Sequence, residues 1–134
     1  MDSYKTTPQQ FELFVKTCKF WQKQFGLFDY RVQYYHEKMK NTTDCATATT
    51  CKEDRTAAIC LNTAWVIPVT FAELQRVALH EVMHVLLADL TDVACQRCIS
   101  ETDVKVANEG AVVRLENGIS DLYYNLKPEK VTIQ

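Results

Sequence analysis

The segment His80-Glu81-Val82-Met83-His84 carries the side chains of this chain that are best suited to chemistry. It lies inside a predicted helix, where residues four apart share one face, so His80 and His84 can point at a common centre. Two imidazoles in that arrangement can bind one zinc ion at about 2.0–2.1 Å each. Glu81 leaves that face by one residue's rotation, which suits it to hold a water on the metal and take its proton. The segment therefore predicts a metal-dependent hydrolytic site.

A zinc site of this kind needs a third protein ligand, and the sequence offers several candidates. The only other histidine, His36, falls in a predicted polar loop. Glu109 is favoured because it lies in a predicted later helix among valines, where a carboxylate needs a partner such as a metal. Glu116, two turns further along that helix, is the second choice. The remaining downstream candidates are Asp89, Asp92, Cys95, Cys98, Glu101, Asp103 and Asp121.

The motif and its distant glutamate resemble the gluzincin branch of the zinc metallopeptidases, in which HExxH is followed by a helical ligand Glu. More closely, the chain is similar to small metallopeptidase-like proteins encoded by phages and prophages. The segments that carry this resemblance are 25–32 (FGLFDYRV), 79–87 (LHEVMHVLL) and 108–116 (NEGAVVRLE). Together they extend from the end of the first predicted helix into the last one.

The resemblance implies a zinc peptidase that acts on peptide or protein substrates. It implies His80, His84 and Glu109 as zinc ligands and Glu81 as general base, and the host cytoplasm as compartment if the protein is phage-encoded. One position departs from the larger gluzincins, which carry an Asp four residues after the ligand Glu to support a zinc histidine. That position is Val113 here, so either Glu116 or another group gives this support, or the metal is bound more weakly.

Local signals predict three helices that position these groups. The first covers 8–25, the second runs from 70 to about 90 and carries the histidines, and the third runs from about 101 to at least 117. A Thr-Pro pair and a Thr-x-x-Glu capping box start the first two helices, and Gly26 suits the end of the first. Asn117-Gly118 would end or bend the third helix.

Alternating apolar and polar residues predict a strand over 28–35, and the stretch 45–61 predicts a hairpin after a polar loop at 36–44. This order predicts an α+β fold, a single zincin-like domain over 1–134 with helices packed on a small, mostly antiparallel sheet. The HExxH helix is expected to pack against the C-terminal helix. The strand 56–61 is expected to border the cleft and to pair with extended substrate.

The composition argues against several other functions. The chain has 134 residues, of which 47% are hydrophobic and 24% charged, as is typical of a folded domain. Its 15 basic and 17 acidic residues give a net charge of −2, so no electrostatic argument favours nucleic acid or an anionic membrane. No apolar run reaches the roughly 18–20 residues of a membrane helix, and no signal-peptide pattern is present. We therefore expect a cytoplasmic protein, and the sequence predicts no oligomeric state.

Six cysteines leave a further question open. Reduced thiols are expected, because the chain is long enough to fold without disulfides and lacks a secretory signal. Cys95-Gln96-Arg97-Cys98 has the spacing of half a zinc knuckle or of a redox pair, but no second such pair accompanies it. Its role stays open between ordinary thiols and a metal or disulfide function.

Two other interpretations of the HExxH segment are kept. Zinc could hold the helices together in a non-catalytic module that binds a protein partner, and function would then depend on His80 but not on Glu81. The protein could also be a zinc hydrolase of a non-peptide substrate. A hydrolase needs a group that stabilises the developing oxyanion, and the candidates are Arg114, Tyr123 and Tyr124.

Overall fold

Helices and short strands follow one another along the chain in the order of an α+β protein. The computed structural model describes residues 3–126, and over this range it contains four helices and five strands. The strands are β1 (Tyr4–Lys5), β2 (Arg31–Glu37), β3 (Ala46–Cys51), β4 (Thr56–Asn62) and β5 (Ala64–Trp65). The helices are α1 (Pro8–Gln24), α2 (Phe71–Leu86), α3 (Ala88–Ala94) and α4 (Glu101–Leu126). The predicted α+β class is confirmed.

The main sheet has three strands in the order β2-β4-β3. β3 and β4 form the predicted antiparallel hairpin, and β1 pairs with β5 in a separate antiparallel ribbon. β2, however, runs parallel to β4 over its whole length. The prediction of a mostly antiparallel sheet is therefore incomplete, because the longest pairing is parallel. Alternation within one strand shows which face is wet, but it carries no information about the direction of a distant partner.

The position of β4 overturns one prediction about the cleft. Both edges of β4 are hydrogen-bonded, to β2 on one side and to β3 on the other. The strand 56–61 therefore has no backbone groups left to pair with a substrate. The two edge strands are β2 and β3, and α2 packs beside β3.

The core lies between one face of this sheet and the helices α1 and α2. Ile59 and Leu61 on β4 are fully buried, and their neighbours in sequence are less so, which is the two-residue period of a sheet covered on one side. Phe14 from α1 and Val82 from α2 close the layer from above and are also fully buried. Each such side chain contributes roughly 1.5–3 kcal/mol by leaving water. This burial holds α2, and hence its histidines, against the sheet.

The predicted ends of α1 are confirmed. The Thr7 hydroxyl accepts a bond from the Gln10 N–H at 3.1 Å, and the Gln10 side chain accepts one from the Thr7 N–H at 2.9 Å. Gly26 follows the helix with φ +65°, a left-handed conformation that favours glycine. At the start of α2, the Thr70 hydroxyl accepts from the Glu73 N–H at 3.1 Å. The carboxylate of Glu73 bonds Arg76 instead of closing a full capping box.

β2 begins later and ends later than predicted. Phe28 is 78% exposed and lies before the strand, although its apolar side chain extends the alternating pattern. His36, predicted in a loop, lies near the end of β2. Its ring stacks on Phe11 with a centroid distance of 4.8 Å, and its Nε2 lies 2.6 Å from the Thr6 hydroxyl. The third histidine of the chain is thus held by structural contacts.

The histidine helix ends at Leu86, earlier than the predicted end near 90. Leu87 breaks it with φ −92° and ψ 5°, and the short helix α3 follows. α4 packs chiefly on α3. The HExxH helix and the C-terminal helix were predicted to pack against each other, but α3 lies between them. The break was missed because no Gly or Pro marks it.

α4 continues through Gly118, where a helix end or bend was predicted. A Cβ at Gly118 would lie 2.8 Å from the Phe25 ring, so this glycine allows α4 to approach the end of α1 closely. The Gln24 amide donates to the Gly118 carbonyl at 2.8 Å and to Asp121 at 2.9 Å. The glycine is a packing contact and does not end the helix. No helix among the described residues is long and apolar enough to cross a membrane.

Candidate metal centre

α2 presents His80 and His84 on one exposed face, one helical turn apart. Their Nε2 atoms lie 3.2 Å from each other, and their rings meet edge to face at a centroid distance of 4.9 Å and an angle of 78°. The convergence predicted from the spacing is therefore present. The two nitrogens lie next to each other at the exposed surface of the helix.

This separation fits a tetrahedral zinc ion. Two nitrogen ligands at about 2.0–2.1 Å from a tetrahedral metal lie about 3.3 Å apart. The observed 3.2 Å is within a tenth of an ångström or so of that value. The same distance also permits a hydrogen bond between the two rings.

Glu81, between the two histidines in sequence, turns into the protein. Its side chain is only 4% exposed, and it lines the cleft beside the histidines. Among the described side chains it has neither an ion pair nor a hydrogen bond, and its carboxylate is not sealed from solvent, because no fully buried side-chain oxygen of the described residues lacks a partner. Burial, and to a smaller extent the negative charge of Asp44, raise the pKa of Glu81 from 4.5 to about 7. A carboxyl held near neutrality can both accept and donate a proton at physiological pH.

A cleft of about 360 Å³ separates this face of α2 from the start of β3. The wall formed by α2 consists of Arg76, Val77, His80, Glu81 and His84. The opposite wall is a continuous stretch of chain, 44–48, which begins in the loop before β3. The cleft therefore lies between a helix that carries the chemical groups and the free edge of the sheet.

Buried hydrogen bonds fix the loop that forms the second wall. Asn62 is almost fully buried at the end of β4, and its amide donates to the Asp44 carbonyl at 2.9 Å. The oxygen of the same amide accepts from the Met39 N–H at 3.3 Å. The Trp65 indole N–H donates to the Cys45 carbonyl at 3.1 Å. These bonds hold Asp44 and Cys45 at the mouth of the cleft.

The two predicted third ligands lie elsewhere. Glu109 and Glu116 are exposed residues of α4, and neither lines the cleft. Within the described part of the chain, no group of three or more His, Cys, Asp or Glu side chains is close enough to hold a metal. The structure thus brings His80, Glu81 and His84 together but does not add Glu109, whose role as a ligand stays a prediction.

The candidates for oxyanion stabilisation also fall outside the cleft. Arg114 pairs with Asp29 at 3.3 Å, and the side chains of Tyr123 and Tyr124 lie outside the described part of the structure. Arg76 is the cation that lines the cleft, held by a 2.7 Å bond to Glu73. Helical spacing could have found it, because Arg76 precedes His80 by one turn. Asp44 could not have been found in this way, since only tertiary structure brings it to α2.

The cysteines form no disulfide in the structure. Cys95 and Cys98 are exposed in the connection between α3 and α4, and Cys18 is buried in the core. Cys45 borders the cleft, where burial raises the pKa of its thiol above the ordinary value. That direction keeps the thiol protonated at neutral pH.

Comparisons of this chain with protein-family models, with curated proteins and with solved structures found no match. What the protein does must therefore be inferred from the cleft and from the residues that line it.

Proposed function

We propose that the protein is a zinc-dependent peptidase whose centre is the cleft between α2 and β3. The observation that carries this proposal is the 3.2 Å separation of the His80 and His84 Nε2 atoms, close to that of two nitrogens on one tetrahedral zinc ion. Beside them, Glu81 is buried without a partner among the described side chains. A buried carboxylate that is not paired is costly to stability, which favours a role in chemistry.

Each residue of the cleft has its own role in the proposed hydrolysis. Zinc, when bound, lowers the pKa of a coordinated water toward 7 and polarises a peptide carbonyl. Glu81 accepts the proton of the attacking water and donates it to the leaving amine, steps for which a pKa of about 7 is well matched. Arg76 places a positive charge in the cleft and stabilises the negative charge that develops on the carbonyl oxygen.

The free edge of β3 supports a peptide as substrate. An edge strand offers unpaired N–H and C=O groups, to which an extended chain can add as a further strand. β3 has this edge, and the first residues of β3 form a wall of the cleft. A peptide that pairs with β3 would run past the histidines of α2. In the predicted arrangement this role belonged to the strand 56–61.

The third protein ligand comes either from Glu109 or from Asp44. Glu109 is the ligand that the resemblance to gluzincins implies, and α4 must then bring it toward α2. Asp44 is, among the described residues, the one carboxylate besides Glu81 that lines the cleft. Glu109→Gln and Asp44→Asn separate these choices, because only the variant that removes the ligand weakens zinc binding.

The experiment measures zinc content and peptide cleavage on the same preparations. The protein is loaded with zinc, dialysed, assayed for metal and incubated with a mixed peptide pool that is then analysed by mass spectrometry. We expect one zinc per chain and cleavage for the wild type, zinc without cleavage for Glu81→Gln, and loss of both for His80→Ala. His36→Ala is the matched control, because it removes a histidine that does not line the cleft and should keep zinc.

Two results would contradict the proposal. Protein that holds no zinc after loading, and whose stability is the same with and without His80, has no metal centre at these residues. Cleavage that persists at the wild-type rate in Glu81→Gln belongs to another site or to a contaminant.

A further inference from the structure

A second depression lies between α1 and α2, next to the cleft. Its volume is about 550 Å³, and its walls are mainly apolar. Leu13, Phe20 and Trp21 come from α1, and Leu79 comes from α2. Phe20 is 50% exposed and meets Trp21 edge to face at 5.1 Å between ring centroids. An aromatic side chain left half in water beside an indole forms a surface that an apolar group could cover.

Arg76 connects this groove to the cleft. Its side chain lines both depressions, so they lie on the two flanks of the same turn of α2. A helix is about 10 Å across, and an extended peptide advances about 3.3 Å per residue. A peptide that crosses α2 from the cleft would therefore reach the groove after roughly three residues.

The charge at the rim of the groove is positive. Lys16 and Arg76 lie on its two sides, one on each helix. Arg76 is paired with Glu73, whereas Lys16 has no ion pair among the described residues. A carboxylate brought by a ligand could pair with Lys16 where the apolar part of the ligand meets water.

We propose that this groove is a specificity site for the same peptide that the cleft cleaves. It holds a large apolar side chain, aromatic or aliphatic, roughly three residues from the scissile bond, and Lys16 favours an acidic residue next to it. The proposal rests on the peptidase function proposed above, because it assigns the groove to the same ligand. The substrate class is thus a peptide with an apolar residue followed or preceded by an acidic one.

The first experiment measures binding without cleavage. The Glu81→Gln protein is titrated with two synthetic decapeptide pools free of Trp and Tyr, which differ only in a fixed Phe-Glu or Gly-Lys pair. Trp21 in the groove reports occupancy, and the same titration of a Trp21→Phe variant subtracts the response of the only other tryptophan, Trp65, which is fully buried but bonds the Cys45 carbonyl in the wall of the cleft. We expect the Phe-Glu pool to change the Trp21 emission and to bind at least about tenfold more tightly.

Matched variants assign the effect to the groove. Phe20→Ser removes the exposed ring of the groove, and Phe28→Ser removes another exposed ring that lies outside it. We expect Phe20→Ser to abolish the preference for the Phe-Glu pool and Phe28→Ser to leave it intact. Lys16→Glu should lose the acidic preference alone, which tests the groove independently if Phe20→Ser folds poorly.

The second experiment maps the residues around the bonds that the wild type cleaves in a mixed peptide pool. An apolar residue roughly three positions from the cut, lost in Phe20→Ser, supports the groove. Cleavage with no such preference overturns the groove and leaves the peptidase standing. A Trp21 response that depends on Phe20, in a protein that cleaves nothing, supports the groove and overturns the peptidase. No Trp21 response to either pool overturns the groove whatever the cleavage result.

Discussion

Around Arg55 the charged side chains are paired with one another, whereas in the cleft between α2 and β3 the carboxylates of Glu81 and Asp44 have no ion pair among the described residues. Arg55 bonds Asp89 at 2.6 Å and Asp29 at 3.1 Å, and its guanidinium lies over the Tyr30 ring at 5.0 Å. The Tyr30 hydroxyl donates to Asp89 at 3.0 Å. Arg114 of α4 joins Asp29 from the other side at 3.3 Å. This cluster connects the turn of the hairpin to α3 and α4.

In the cleft, the two carboxylates lack such partners among the described residues. Glu81 is buried, and this burial raises its pKa. Asp44 adds a second negative charge near it. Arg76 bonds Glu73 instead of either of these carboxylates. Pairing in the first cluster stabilises the fold, while the unpaired groups of the second cost stability. That contrast supports the proposal that the cleft serves binding or catalysis and that the cluster around Arg55 is structural.

The largest effect that tests this contrast is on catalysis. Glu81→Gln keeps the size of the side chain and removes the group that carries the proton. We expect peptide cleavage to fall by about 10²–10⁴-fold while zinc content is unchanged. The measurement is the initial rate of cleavage of one peptide, with metal content determined on the same sample. A drop in zinc in parallel with activity would instead make Glu81 a ligand.

The next effect concerns the contact between the end of α1 and α4, the helix that carries Arg114 of the paired cluster. Gly118→Ala places a methyl group 2.8 Å from the Phe25 ring and 3.1 Å from the Gln24 carbonyl, a crowding that costs roughly 1–3 kcal/mol. Gly110→Ala is the matched control, because its added methyl meets nothing within 4 Å and gains about 1 kcal/mol of helix propensity. Urea unfolding should therefore separate the two variants by about 2 kcal/mol. Equal stabilities would mean that α4 does not pack at Phe25.

A smaller effect is expected on the stability of the metal-free protein. The folded pKa of Glu81 is raised to about 7 from 4.5, so the folded state holds a proton that the unfolded state has released between these values. The stability that Glu81 contributes through this proton is therefore lost as the pH rises from 4.5 to 7. The Glu81→Gln variant does not titrate, so its free energy of unfolding does not fall in this way. We expect Glu81→Gln to be more stable than the wild type by roughly 1–2 kcal/mol at pH 8 and nearly equal at pH 4.

The measurement is urea unfolding of both proteins in chelator, with Glu12→Gln as a control for loss of an exposed carboxylate. Glu12→Gln should show no such dependence on pH. A wild type that is as stable as Glu81→Gln at pH 8 would mean that the carboxylate has a partner in solution.

Features set by neighbouring residues could be predicted from the sequence. The caps Thr7 and Thr70, the left-handed Gly26 and the shared face of His80 and His84 depend on residues within one turn of each other. Each follows from local geometry, so the proximity of the two imidazoles was predicted along with the helix that carries them, while their role as ligands stays a prediction.

Features set by distant contacts could not. The parallel pairing of β2 with β4 depends on the connection between them, which contains β3. Asp44 is held at the cleft by a hydrogen bond that the Asn62 amide donates to its carbonyl. Gly118 looked like a helix end because its contact with Phe25 lies in another element. The placement of Glu109 was predicted from two adjacent helices, whereas α3 intervenes between them. A valine-flanked carboxylate is a weak guide when the helix face that is buried is not yet known.

The smallest effect is expected where the charges are paired. Asp89→Asn keeps the shape and an acceptor oxygen but removes the charge that Arg55 and Tyr30 contact. About a third of the Asp89 side chain is exposed, and Asp29 remains as a partner for Arg55. We therefore expect the free energy of unfolding to fall by about 1 kcal/mol at most. The difference should shrink further in high salt. Glu101→Gln, which removes a fully solvated pair with Lys105, is the control for no effect. Because this cluster stabilises the fold and takes no part in the proposed chemistry, the zinc content and the cleavage rate of Asp89→Asn should match those of the wild type. A loss of either would mean that the cluster around Arg55 supports the cleft directly. The two clusters could then no longer be separated into a structural one and a functional one.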